Sequence, residues 1–177
     1  MPTSVDLSKC VMKAMETSDL EKVLEWRNNP TVRKNMYSSH EISWDEHLRW
    51  FKGLVGDAGR QYFIFSEEAE DLGVIAFTEI DPYQKRAFWA FYSGDLKRRG
   101  IGKKMERMAL NHAFVNLGLR KLNCEVLSSN EAVVEFHKKH GFTVEGVFRE
   151  HHYDGLGYQD IYRLGMLAKE YSVRYGQ

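Results

Sequence analysis

The stretch Lys97-Arg98-Arg99-Gly100-Ile101-Gly102-Lys103-Lys104 constrains this chain more than any other, because it joins a strand-like run, Arg86 to Ser93, to a helical run, Met105 to Leu117. Two glycines one residue apart let a backbone come close to a ligand with no Cβ in the way. A helix beginning there aims its unpaired N–H groups and the positive end of its dipole into the turn. The flanking bases favour an anion, and a diphosphate is the natural guest. The spacing is not that of a P-loop, which needs Gly-Lys-Ser/Thr after a four-residue gap, nor of a dinucleotide fingerprint, which needs a third glycine. By itself it also describes a plain tight turn.

The elements on either side set the architecture. Val11 to Met15 reads as a first short strand. Ser18-x-x-Glu21 offers a capping box for a helix through Trp26 or Arg27, stopped at Asn29-Pro30. A short helix over Thr31 to Asn35 and a longer one opened by Ser43-x-x-Glu46 follow. From Gln61 the period changes to that of strands: Tyr62 to Phe65, Gly73 to Ile80 and Ala87 to Tyr92 are β-branched and aromatic runs parted by acidic and Asp81-Pro82 turns. The central helix covers about Arg99 to Leu117. A strand at Lys121 to Leu127 leads to a helix opened by Ser128-x-x-Glu131 and closed at Gly141, and Phe142 to Arg149 and Tyr158 to Leu167 are the last two strands. This order predicts an α/β sandwich with a mixed, mostly antiparallel sheet of about seven strands flanked by helices.

The 177 residues suit one domain spanning 1–177. Lys plus Arg and Asp plus Glu are both 25, so no net field draws the chain to nucleic acid or a membrane surface. No apolar run approaches the roughly 18 residues that cross a bilayer, and no signal-peptide core is present. Two cysteines, Cys10 and Cys124, are too few for a disulfide framework, which suits a reducing cytoplasm. His151-His152 does not make a metal site, because neighbours on a strand face opposite ways and no third ligand is evident.

Lys97-x-x-Gly100-x-Gly102 resembles the acyl-CoA pyrophosphate loop of the GNAT superfamily of N-acetyltransferases, usually Gln/Arg-x-x-Gly-x-Gly/Ala. Asn130, Ala132 and Phe136-His137-Lys138-Lys139-His140-Gly141-Phe142 resemble that superfamily's second mark, with the early spacing shifted. Lys97 stands where Gln or Arg is usual and His137 where Tyr is usual. The resemblance implies acetyl-CoA as co-substrate, no metal, and a cofactor site drawn from Phe91, Tyr92, Ser93, Lys97, Arg98, Arg99, Gly100, Ile101, Gly102, Lys103, Asn130 and His137. In relatives the Phe91-Tyr92-Ser93 strand splays from its neighbour and leaves unpaired N–H groups for the oxyanion. Asn130 contacts the pantetheine arm, caps its helix, or does both.

Amide formation from a thioester needs a neutral amine, a donor for the oxyanion and a proton for the departing thiolate. Glu125, on the strand Leu122 to Leu127 among apolar neighbours, is the first candidate base, because burial raises a carboxyl pKa; alternation alone would put it in solvent. Glu79, at a strand end, is the reserve base, and either acid could act through a water. His137 is the candidate acid, since imidazolium gives up a proton more readily than a phenol. Cys124 as a nucleophile is disfavoured, because alternation turns it away from Glu125.

The segment Trp26-Arg27-Asn28-Asn29-Pro30, Met36-Tyr37 and Glu46-His47 to Phe51 mixes cations with flat apolar side chains. Guanidinium suits phosphate, and Met or aromatic surfaces suit a base or sugar. This segment, with Gly73 to Asp81, resembles the acetyltransferases of the pseudaminic acid pathway, which acetylate the 4-amino group of a UDP-linked 4-amino-4,6-dideoxy sugar used in flagellin or surface glycan modification. That resemblance implies that Arg27, Met36, Tyr37, His47 and Thr78 line a nucleotide-sugar site in a monomer or homodimer. A protein N-terminal amine or a polyamine is the alternative acceptor, and a non-catalytic acyl-CoA-binding module is the third reading.

Overall fold

In the computed structural model, which describes residues 5–176, seven strands form one sheet in the order β1-β2-β3-β4-β5-β7-β6. They are β1 (Cys10–Ala14), β2 (Gln61–Glu67), β3 (Glu70–Asp81), β4 (Arg86–Ser93), β5 (Lys121–Leu127), β6 (Thr143–Tyr153) and β7 (Tyr158–Leu167). Every pairing is antiparallel except β4 with β5. The mixed, mostly antiparallel sheet and its flanking helices are those the sequence predicts. Among the described residues no helix is long and apolar enough to cross a membrane.

Alternation along the strands divides the apolar side chains between two layers. Ile64 and Val74 face one way, against Leu20 and Val23 of α1 (Leu20–Asn28), with Leu48 and Phe51 of α3 (Trp44–Lys52) packed on them. Phe65, Ile75, Trp89, Cys124 and Leu164 face the other way. There they meet Met105, Ala109 and Leu110 of α4 (Ile101–Asn111) and Val134 of α5 (Glu131–Lys139). Each fully buried side chain of this size contributes about 1.5–3 kcal/mol relative to exposure. Short α2 (Pro30–Arg33) has Pro30 at its first position and Asn29 accepting from the Thr31 N–H.

Helix boundaries differ from expectation at α2, which covers Pro30–Arg33 rather than Thr31 to Asn35, and at three further places. Glu16 and Asp19, not Ser18 and Glu21, make the reciprocal box before α1, because a 3-10 turn over Thr17–Asp19 intervenes. Helix α5 starts after Asn130 rather than at Ser128. Past Asn111 the central helix widens into a π-turn over His112–Asn116, where the Leu117 N–H donates to His112. The sequence reading also stops short of α6 (Ala168–Tyr175), whose Tyr171 is buried on the core.

The positioning feature is the parting of β4 from β5. Strand β4 pairs with β3 as far as Ser93, yet pairs with β5 only over Arg86, Ala87 and Phe88. Beyond Phe88 the edge of β4 that faced β5 has no strand partner, so its amides open onto a cleft. At the end of β4, Gly94 is required by packing. A Cβ there would lie 2.2 Å from the Trp26 indole. Gly94→Ala is therefore expected to push Trp26 off the strand and destabilise the fold by about 1–3 kcal/mol, as overpacking does. At roughly 2–4 °C per kcal/mol for a chain of this size, calorimetry should register a drop of several degrees in Tm.

Candidate active site

The cleft between the parted strands is a cavity of about 370 Å³. Its walls are β4 from Trp89 to Ser93, β5 from Cys124 to Leu127, Asn130, Val133 and His137 at α5, and Met36 and Tyr37 from the segment after α2. A second cavity of about 330 Å³ adjoins it, lined by Arg27, Met36, His47, Trp50, Tyr62 and Tyr92 among others. Met36, Ala90 and Tyr92 belong to both, so the two form one bent groove passing over β4.

His137 is 3% exposed and sits among the Trp89, Phe91, Phe136 and Phe142 rings. Its Nδ1 lies 2.9 Å from Glu106 Oε1, and Glu106 on α4 is fully buried. His140, as expected of a helix C-terminal residue, places Nδ1 2.8 Å from the Phe136 carbonyl. The same nitrogen is 2.8 Å from Glu106 Oε2. Burial pushes the His140 ring down, but the Glu106 carboxylate and the Phe136 carbonyl outweigh it, and the pKa is raised.

Glu125 also lines the cavity, but not in apolar surroundings. Arg163 of β7 donates to Oε1 from Nε at 2.9 Å and Nη2 at 2.5 Å, and the Tyr37 hydroxyl donates to Oε2 at 2.5 Å. The expectation that apolar burial tunes this carboxyl is thus corrected: a guanidinium and a phenol surround it. Burial, then the bond to Glu125, raises the Tyr37 pKa, so its hydroxyl stays a donor. Burial likewise raises the Tyr92 and Cys124 pKa values, the latter well above the usual thiol range, and a protonated thiol is a poor nucleophile.

Glu79 and Thr78 do not join this group. A bulge between Thr78 and Asp81 breaks the β3–β4 register and leaves Glu79 exposed at φ 49°, and neither residue is on either cavity wall. Thr78 is still in register opposite Phe88 and shares a face with Val74 and Ala76 of the second cavity but lies beyond that wall, whereas Glu79 falls in the bulge. Arg27, Met36 and His47 do line the second cavity. Arg27 Nη2 donates to the Ser38 carbonyl at 2.8 Å, whereas Nη1 is buried and has no partner among the described residues. His47 stacks on Trp50 at 5.1 Å and its Nε2 lies 3.1 Å from the Leu20 carbonyl, so it also ties α3 to α1.

The glycine turn begins α4 as expected, with Gly100 left-handed at φ 85° as the N-cap. That conformation would strain any other residue. Ile101 points into the core, so only its backbone remains for a ligand. The Lys97 and Arg98 amides are engaged within the turn: both donate to Asp95 Oδ1, at 2.9 and 3.1 Å. The Arg98 guanidinium and Lys104 pair with Glu67 and Glu70 of the β2–β3 hairpin. The donors left for a diphosphate include the first amides of α4 and the exposed Lys97 and Arg99 side chains. Asn130 precedes α5 without a side-chain capping bond, and its side chain lines the cleft. Among the described residues no group of three His, Cys, Asp or Glu side chains could hold a metal.

Sequence reasoning missed Glu106 and Arg163. A signal for Glu106 existed, since it is an acid on the face of α4 that otherwise buries Ile101, Met105, Ala109 and Leu110. Arg163 shows its role only once β5 and β7 are in register, where Glu125 faces it directly.

Comparison with known proteins agrees with this geometry. The chain is 27% identical over 130 residues to the acetyltransferase PseH of Campylobacter jejuni, covering 73% of this chain and 80% of the relative. It is 23% identical over 161 residues to the spermidine N(1)-acetyltransferase of Escherichia coli, covering 90% and 87%. The fold superposes with a TM-score of 0.86 on the crystal structure of spermidine N-acetyltransferase from Vibrio cholerae in complex with CoA and spermine, at 23% identity over 93% of this chain and 98% of that one. The family model for an acetyltransferase (GNAT) domain matches residues 12–161. The chain therefore belongs to the GNAT acetyltransferase family, as an acetyl-CoA-dependent N-acetyltransferase.

Proposed function

We infer that the acceptor is the 4-amino group of a UDP-linked 4-amino-4,6-dideoxy sugar, which places the enzyme in pseudaminic acid biosynthesis. One observation carries this reading: the second cavity sets the unpartnered Nη1 of Arg27 beside the apolar and aromatic walls of Met36, Trp50, Tyr62 and Tyr92. A guanidinium with a free donor suits a diphosphate, and the flat walls suit a uracil or hexose ring. The acids nearby are already engaged, Glu46 with His40 at 3.0 Å and Glu125 with Arg163. Among the described residues that line the groove, Arg27 keeps a free donor and both acids are engaged, the reverse of what a polycation needs.

Within the cleft, the β4 edge past Phe88, Asn130 and the first amides of α4 would hold the acyl-CoA, which supplies the activated acetyl group. Glu125, directly or through a water, takes the proton released as nitrogen bonds the acetyl carbon. The unpaired β4 amides stabilise the oxyanion. His137 returns a proton to the sulfur as the C–S bond breaks, so the overall exchange moves one proton from nitrogen to sulfur.

Release of free CoA thiol, measured with acetyl-CoA and a panel of amines, tests the acceptor. Turnover with the UDP-amino sugar and not with spermidine or a peptide N-terminus is the expected result; turnover with spermidine alone would overturn it. Arg27→Ala should raise the KM for the nucleotide sugar roughly tenfold or more, the value of a charged hydrogen bond of about 1.5–3 kcal/mol, with the KM for acetyl-CoA unchanged. An unchanged sugar KM would remove Arg27 from the site.

A further inference from the structure

We propose that Glu106 is a positioning residue for the transfer, holding His137 so that its Nε2 carries a proton toward the cleft only when the ring is cationic. The inference rests on the reading of His137 as proton donor to the departing sulfur. A carboxylate accepts hydrogen bonds and has none to give, so the nitrogen facing Glu106 Oε1 at 2.9 Å must be protonated. A neutral imidazole has one N–H, and here it is spent on Nδ1. Nε2, on the ring that lines the cleft, is then an acceptor in the neutral form and a donor only in imidazolium.

That rule has a chemical consequence. A neutral imidazole N–H is a feeble acid, whereas imidazolium is strong enough to protonate a thiolate near neutral pH. By excluding the neutral Nε2–H tautomer, Glu106 leaves His137 only the form that is useful as an acid and the form that remains after it has acted. Aromatic rings make up much of its surroundings. From β4 come the Trp89 and Phe91 rings, from α5 Phe136, and from the turn after it Phe142. The ionisable groups near the pair are His140 at the end of α5, beside Glu106 Oε2, Lys103 on α4, which acts on His140, and Cys124 on β5.

His140 answers a second requirement. A carboxylate with no solvent exposure is strongly disfavoured unless paired. The raised pKa of His140 supplies a positive partner to Oε2 in a residue with 15% of its side chain exposed.

Nitrogen-15 NMR of histidine-labelled protein tests the proposal on the unmodified chain, with the His137 signals assigned by their loss in His137→Phe. The expected result is Nδ1 protonated at every pH at which the protein is folded, and Nε2 protonated only in the cationic ring. A neutral Nε2–H tautomer in the unmodified protein would overturn it. Glu106→Gln, whose amide can accept or donate, should admit that tautomer and lower kcat by about ten- to a hundredfold without changing the KM for acetyl-CoA. Glu106→Asp, which keeps the charge, should retain more of the rate. Equal losses in the two variants, or a folded Glu106→Gln with full kcat, would reduce Glu106 to a packing residue. Should Glu106→Gln not fold, the spectrum of the unmodified protein still decides. If His137→Phe keeps its kcat, the donor reading fails by itself, and the tautomer rule is judged separately.

Discussion

His137→Phe is expected to lower kcat by about two to four orders of magnitude, the usual worth of a positioned general acid, and to leave the KM for acetyl-CoA near its original value. Phe suits the hole, because Trp89, Phe91, Phe136 and Phe142 already line it. What the substitution removes is the proton at the cleft and one partner of Glu106. Loss of a hydrogen bond to a buried carboxylate amounts to about 1.5–3 kcal/mol, so Tm should also fall. Steady-state kinetics below the lowered melting temperature separate the two effects. An interaction made only in the transition state lowers kcat and kcat/KM together, and equal falls in both are the predicted signature.

Glu125→Gln is the second large effect, with kcat down by about a hundredfold or more and acetyl-CoA binding retained. The amide is isosteric: its oxygen can still accept from Arg163, and its NH2 then faces Tyr37, whose hydroxyl can turn to accept. Structure is thus preserved while the capacity to take a proton is lost. Tyr37 comes from the segment after α2 and Arg163 from β7, so Glu125 also ties together two walls of the first cavity's surroundings. Glu125→Ala should therefore be worse than Glu125→Gln in Tm as well as rate, because it strands the Arg163 guanidinium. Rates of Glu125→Gln equal to the unmodified enzyme would remove this residue from proton transfer.

What the sequence disclosed follows from which interactions are local. Strand periods, the glycine turn before α4 and the Ser43 cap are local, and they were legible: the Ser43 hydroxyl does accept from the Glu46 N–H. Glu125 and His137 face one cleft because their elements adjoin in sequence, so motif spacing was enough to find both. The failures come from long-range geometry. No local signal announces the bulge that leaves Glu79 exposed at the end of its strand, since alternation is the default until a residue adopts positive φ. Glu67 and Glu70, which occupy Arg98, lie on a hairpin about thirty residues earlier, and the Asp95 turn that takes the Lys97 and Arg98 amides competes with the phosphate reading of those donors. The parting of β4 and β5 is likewise a property of two strands and no single run of residues.

The crystal structure of the complex with CoA tests the account most directly. The account predicts the pantetheine arm lying along β4 between Trp89 and Ser93, the diphosphate at the first amides of α4 beside Gly100, and the sulfur within hydrogen-bond reach of His137 Nε2. CoA bound outside the cleft between β4 and β5, or with its sulfur remote from His137, would contradict it.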